Sequence, residues 1–103
     1  MSSNDEHIAE AASLIRKDFG IDSSELEDYT LLNELKSRLT RIVSYLLDND
    51  FERLLQAMYR IDISERKFKA ALNLNPASEV ASSIAQLIIE RELQKVATRR
   101  KYS

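Results

Sequence analysis

Residues 31 to 47, LLNELKSRLTRIVSYLL, form the longest run of this chain in which apolar residues keep a helical period and neither glycine nor proline interrupts the backbone. At 100° per residue, the apolar side chains of this run fall within one arc of roughly 160°. Such an arc is wider than the two-position seam of a coiled coil, and it suits a core helix with several neighbours. We therefore predict that this helix is the centre of the fold. Its apolar arc comprises Leu31, Leu32, Leu35, Leu39, Ile42, Val43, Leu46 and Leu47.

Length and composition predict one helical domain. A chain of 103 residues is large enough for a single core, with a radius of gyration of about 13 Å. Leucine, isoleucine and alanine dominate its apolar residues, and it contains only one glycine and one proline. Because this composition favours helices over strands, we predict an all-α, single-domain bundle of about five helices spanning residues 1 to 103.

The sequence also predicts where the protein resides. It contains no cysteine, so it can form neither a disulfide nor a thiolate zinc site. Its N-terminus, MSSNDEHIAEAA, lacks the basic start and apolar run of a secretory signal. Because no apolar stretch approaches the ~18 to 20 residues that cross a bilayer, we expect a cytoplasmic protein without a membrane partner.

Capping residues predict the ends of the first helix. Ser3 or Asn4 can cap its start, and the helix should end near Phe19, because Gly20 can adopt the left-handed conformation that terminates helices at least cost. Residues 21 to 30 are acidic and turn-prone. They either begin the next helix or form a connector to it.

Two shorter helices are predicted after the central one. The third helix should cover about residues 50 to 59, with Asn49 as its cap. The fourth should cover about residues 64 to 73, capped by Asp62 or by Ser64.

The turn between these two short helices should be held by polar side chains. Ile61 and Ile63 can anchor the turn in the core. Arg60 and Asp62 have no room on that apolar side, so we expect them to fix the turn by pairing and capping.

Asn75 and Pro76 predict the start of the fifth helix, because asparagine is a strong cap and proline is favoured at the first helical position. The helix should extend to about Thr98. Residues 1 to 4 and 100 to 103 should be disordered, since they carry almost no apolar anchors.

The fifth helix carries apolar residues around most of its circumference, over an arc of roughly 240°. Either this helix threads the middle of its own bundle, or one side of it meets a second copy of the chain. We predict the second arrangement, a two-fold dimer, because only about five helices are available to cover it. The residues expected at that interface are Ile89, Leu93 and Val96.

Charge is distributed unevenly along the chain. Residues 1 to 52 hold 12 acidic and 5 basic side chains, a net charge of −7, whereas residues 53 to 103 hold 5 acidic and 10 basic ones, a net charge of +5. This asymmetry favours attraction within one bundle or between copies of it. An alternative interpretation is a polyanion-binding or nucleic-acid-binding surface at the C-terminal end, although Glu90 and Glu92 oppose that use. The residues of that surface would be Arg91, Lys95, Arg99, Arg100 and Lys101.

No pattern of residues with a dedicated chemistry is present. The sequence offers no nucleophile with a matching base, no glycine-rich phosphate loop and no helical pair of metal ligands. We therefore expect neither an enzyme nor a cofactor. The leading hypothesis is a helical interaction module that associates with itself or with another protein, and nucleic acid is the less favoured partner.

Two segments carry a resemblance to other proteins. YRIDISERKF, residues 59 to 68, and IIERELQKVATRRK, residues 88 to 101, resemble an uncharacterised family of small all-helical bacterial proteins. The resemblance covers the second half of the chain. It implies a helical fold and a bacterial cytoplasmic setting, and it assigns no activity and no functional residue.

Overall fold

The computed structural model describes residues 3 to 20 and 32 to 102, and these residues form a single-domain bundle without strands. Its radius of gyration is 13.2 Å, close to the value of about 13 Å typical of a single domain of this length. The predicted all-α class and the predicted number of helices are confirmed. The helices are α1 (Ser3–Phe19), α2 (Leu32–Asn49), α3 (Phe51–Ile61), α4 (Glu65–Leu72) and α5 (Ser78–Tyr102).

The centre of the bundle is α5. This helix packs against α1, α2, α3 and α4, which is why apolar residues occur around so much of its circumference. In contrast, α2 forms one wall of the bundle and not its centre. It buries Leu35, Leu39, Val43 and Leu46, four residues of the predicted arc, while Leu32 of the same arc is exposed.

The position of α5 corrects the interface predicted from the sequence. Ile89 and Val96 are completely buried within the chain, with at most 1% of either residue exposed, and Leu93 packs half-buried against the same core. Because the chain's own helices cover Ile89 and Val96 completely and Leu93 in part, these residues do not form an open apolar face for a second copy. Of the two arrangements considered for this helix, the internal one is observed.

The third helix begins at a different cap from the one predicted. Asp50 caps α3, since its carboxylate accepts a hydrogen bond from the backbone N–H of Arg53 at 3.2 Å. Asn49 is instead the last residue of α2, where its side chain donates to the carbonyl oxygen of Tyr45 at 3.0 Å. The prediction of Asn49 as the cap is therefore wrong by one residue.

Asp62 ends α3 and does not begin α4. Its backbone is left-handed, with φ 67°, and its N–H donates to the carbonyl oxygens of Met58 and Tyr59. Ser64 caps α4 by accepting a hydrogen bond from the N–H of Lys67 at 3.4 Å. Of the two caps considered for α4, Ser64 is therefore the one observed.

The two terminal helices also differ from their predicted ends. Although α1 ends before Gly20, as predicted, with φ 63° at this glycine, both terminal helices extend further than expected. The expected disorder is wrong for Ser3, Asn4 and residues 100 to 102, which lie in α1 and α5. Residues 1, 2 and 103 lie outside the described part of the chain, as do residues 21 to 30 with their two alternatives.

The start of α5 lies two residues later than the sequence indicated. Residues 74 to 77 are not helical; Pro76 and Ala77 accept hydrogen bonds from the backbone N–H groups of Glu79 and Val80 at 3.0 and 3.1 Å. The regular helix therefore begins at Ser78. Asn75 does not cap it.

No helix within residues 3 to 20 and 32 to 102 combines the length and the apolar character that crossing a bilayer requires. The cytoplasmic location stays a prediction.

Candidate functional site

The basic residues proposed as a polyanion surface are partly engaged inside the chain. The guanidinium group of Arg91 lies 3.6 Å from the carboxylate of Asp62 and donates to the carbonyl oxygen of the same residue at 3.3 Å. The Lys95 ammonium lies 3.9 Å from a carboxylate oxygen of Glu92. Arg99 is exposed, and the side chains of Arg100 and Lys101 lie outside what the structure describes. Two of the five predicted cations therefore have acidic neighbours, which weakens the case for a continuous basic surface on α5.

An apolar groove of about 220 Å³ opens between α3 and α4, and we call it the α3–α4 groove. It arises because α3 is apolar on two faces: Leu54, Ala57 and Ile61 face the core, whereas a second stripe lines the groove. The residues of that stripe repeat at helical spacing along α3, so one side of the helix presents them together. The lining residues are Phe51, Leu55, Met58, Tyr59, Ile63, Glu65, Phe68, Lys69 and Leu72.

Two aromatic side chains of this groove are exposed to water, whereas Met58 and Phe68 are buried at its base. Phe51 is 39% exposed and Tyr59 is 83% exposed. The ring of Phe51 stacks on that of Phe68 from α4, with centroids 6.4 Å apart and planes inclined by 21°, which fixes one end of the groove. Leu74, just beyond α4, is also exposed. Contiguous exposed apolar side chains of this kind mark binding surfaces more often than isolated ones do.

The rim of the groove is electrically neutral. Glu65 and Lys69 pair across one turn of α4 at 3.2 Å, and both side chains are largely exposed. Such a surface pair contributes little stability, but it leaves the groove without net charge. The groove therefore favours apolar groups over ionic ligands.

The size of the groove restricts what it can hold. Sites for cofactors and drug-sized molecules span roughly 300 to 1,000 Å³ and bury most of the ligand, so about 220 Å³ suits one or two protein side chains. Within the described part of the chain, no three histidine or acidic residues are grouped as a metal site would require.

A polar concavity of about 350 Å³ beside α1 and α3 is lined by side chains that hold these helices together. Arg53 of α3 donates to the carbonyl oxygens of Phe19, at 2.9 Å, and Gly20, at 3.1 Å. Arg60 donates to the carbonyl oxygen of Asp18 at 3.3 Å. Both arginines thus neutralise the negative end of the α1 dipole. The prediction that Arg60 fixes the turn after α3 is wrong, because Arg60 points to α1.

Glu92, expected from its charge to lie on the surface, is a buried carboxyl group. None of its surface is exposed, and among the described residues no hydrogen-bond donor reaches either of its carboxylate oxygens. Burial raises the pKa of Glu92 to about 8. The nearby Asp18 carboxyl group also raises this pKa, whereas the Lys95 ammonium group lowers it. A hydrogen bond in which protonated Glu92 donates to the Asp18 carboxylate favours the neutral form of Glu92. Glu92 is therefore mostly protonated at neutral pH.

A signal in the sequence could have identified the burial of Glu92. It follows Ile88 by four residues and Ile89 by three, and it precedes Val96 by four. Residues at these spacings share one face of a helix. A glutamate in the middle of an apolar face lies on the buried side, whatever its charge suggests.

Neither a protein-family model, a curated protein nor a solved structure matches this chain. The resemblance to a family of small helical bacterial proteins stays a prediction. In the fold, the two segments that carry the resemblance meet where Arg91 binds Asp62.

Proposed function

We propose that this chain is a non-enzymatic helical interaction module that associates with a second copy of itself through the α3–α4 groove. The observation that carries the proposal is an apolar groove of about 220 Å³ beside Tyr59, an aromatic side chain that is 83% exposed.

A two-fold interface is self-complementary, because each copy presents the same surface to the other, and a surface that contains both a cavity and a group that can fill it suits such an interface. The α3–α4 groove and Tyr59 supply this cavity and this group. In the proposed dimer, the Tyr59 ring of each copy enters the groove of its partner. Its hydroxyl group stays at the wetter edge, as tyrosine commonly does at interfaces.

The charge of this surface supports association between identical copies. A patch with net charge would repel itself across a two-fold axis. Here the charged residues lining the groove are Glu65 and Lys69, and they neutralise each other. Two copies can therefore approach without juxtaposing like charges at the centre of the interface.

The chemistry of the groove supports a binding role over catalysis. The polar side chains among its lining residues are Tyr59, Glu65 and Lys69. The glutamate and the lysine are paired with each other at 3.2 Å. This set provides neither a nucleophile with an adjacent base nor a group of metal ligands.

The test compares two exposed tyrosines by size-exclusion chromatography coupled to light scattering at tens of micromolar. Tyr59→Glu places a charge at the groove, whereas Tyr45→Glu places the same charge on α2, where Tyr45 is 64% exposed and lies outside the groove lining. We expect a dimer for the unmodified chain and for Tyr45→Glu, and a folded monomer for Tyr59→Glu. Circular dichroism verifies that each variant is folded.

Two outcomes contradict the proposal. One is a monomer for the unmodified chain at the same concentrations. The other is equal disruption by both tyrosine substitutions, which would show that the effect is not specific to the groove. A monomer whose retention on heparin depends on salt and is lost on replacing Arg99, Arg100 and Lys101 would favour the polyanion alternative.

A further inference from the structure

We infer that Glu92 is a proton-operated latch: its neutral form holds α1 against α5, and its ionised form releases α1 from the bundle. This inference concerns a different part of the molecule from the α3–α4 groove and stands without it.

The surroundings of Glu92 favour an uncharged group. Its side chain is completely buried on α5, the central helix of a core to which α2 contributes leucines and a valine. Asp18 from α1 faces the same carboxyl group, together with Lys95 and Arg91 from α5 itself. On the α3 side, Arg60 binds the carbonyl oxygen of Asp18. The position is therefore apolar on one side and acidic on another.

Ionisation of Glu92 leaves a charge with little to stabilise it. Among the described residues neither of its oxygens has a hydrogen-bond donor within reach. The nearest cation, Lys95, stays 3.9 Å away, and Arg91 is engaged by Asp62. A negative charge at Glu92 would also face Asp18. Hydration of the ionised group requires that one covering helix move away.

The helix whose movement relieves Glu92 is α1. Its C-terminal end is attached to α3 by hydrogen bonds from Arg53 and Arg60, two of which are exposed to water. It also carries Asp18, the acidic neighbour of Glu92. Movement of α1 therefore removes the repulsion and admits water in one step.

The direction of the pH effect follows from the two pKa values of Glu92. In the closed bundle the pKa is raised from 4.5 to about 8, so between these values the closed form binds one more proton than an open form in which Glu92 is solvated. Closure is most favourable below pH 4.5 and weakens as the pH rises. The opening equilibrium should increase about tenfold per pH unit and level off above the raised pKa.

Native-state hydrogen exchange tests the latch between about pH 6 and 9, with rates corrected for the intrinsic pH dependence of exchange. We expect α1 amides to exchange through an opening that α2 does not share, and their protection to fall about 50-fold from pH 6 to 8, since the rise begins to level off near the raised pKa. Glu92→Gln, which keeps the shape and removes the ionisation, should abolish that fall. Glu90→Gln, an exposed neighbour on α5, should retain it.

Three results would overturn the inference: equal protection of α1 and α2 at every pH, protection of α1 that does not change with pH, or the same pH dependence in Glu92→Gln as in the unmodified chain. A carbon-13 NMR titration of Glu92 in the unmodified chain decides the matter if the variant does not fold. Ionisation above about pH 7 supports the latch, and ionisation below about pH 6 overturns it.

Discussion

Asp62 joins the turn after α3 to the central helix. Its left-handed backbone, with φ 67°, is uncommon for residues other than glycine, and aspartate tolerates it better than most. Its carbonyl oxygen accepts a hydrogen bond from Arg91, and its carboxylate lies 3.6 Å from the same guanidinium group. Because the Asp62 side chain is 86% exposed, the ion pair contributes little. The backbone conformation is therefore the main reason for an aspartate here.

This reasoning predicts different effects for two substitutions of Asp62. Asparagine also tolerates a left-handed backbone, so Asp62→Asn should change the free energy of unfolding by less than about 0.5 kcal/mol. Asp62→Val forces a β-branched residue into the same conformation and should cost roughly 1 to 2 kcal/mol. Urea denaturation measures both changes. Equal losses for the two variants would show that the carboxylate and its pair with Arg91 dominate instead.

At the scale of the helices, their number and approximate positions could be predicted from the sequence, because apolar period and composition are local properties. Their ends were harder to predict. Asn49 and Asp50 are adjacent residues with similar capping ability, and the choice between them depends on the path of the chain from α2 into α3. Asn75 and Pro76 favour a helix start in isolation, but these residues are not helical and α5 begins at Ser78.

The cap of α3 gives a prediction at this scale. Asp50→Ala removes the carboxylate that accepts the Arg53 N–H, and it should lower the free energy of unfolding by about 0.5 to 2 kcal/mol. Asn49→Ala removes only an exposed side-chain bond within α2 and should have a smaller effect. Thermal or urea unfolding of the two variants makes the comparison. A larger loss of stability for Asn49→Ala would indicate that Asn49, the residue predicted from the sequence, is the cap of α3.

At the scale of the whole molecule, the wide apolar arc of α5 showed that this helix is covered on most sides, but it could not show what covers it. The answer depends on how α1, α2 and α4 pack around it, which no local pattern encodes. The α3–α4 groove was equally inaccessible from the sequence. Phe51, Leu55 and Met58 could be recognised as apolar residues of one helix, but the groove that they line depends on where α4 lies.

The internal position of α5 predicts the effect of truncating its core residues. Ile89 is 1% exposed, so Ile89→Ala should lower the free energy of unfolding by about 2 to 5 kcal/mol, as truncations in packed cores do. The exposed Tyr59 provides the contrast, because Tyr59→Ala should change monomer stability by no more than about 0.5 kcal/mol. Urea denaturation at a concentration that keeps the chain monomeric measures both. A loss below about 1 kcal/mol for Ile89→Ala would place this residue outside the core.

Paramagnetic relaxation between two copies tests the proposed self-association most directly. One copy carries a spin label at Lys69→Cys, on the rim of the groove, which is a unique site because the chain has no cysteine. The other copy is labelled with nitrogen-15 and carries no spin label. A label at Ser44→Cys, exposed on α2, is the control.

We predict that the Lys69 label broadens the amide signals of Leu55, Tyr59 and Phe68 in the other copy and that the Ser44 label does not. Absence of broadening between copies, or broadening confined to the Ser44 label, would contradict association through the α3–α4 groove.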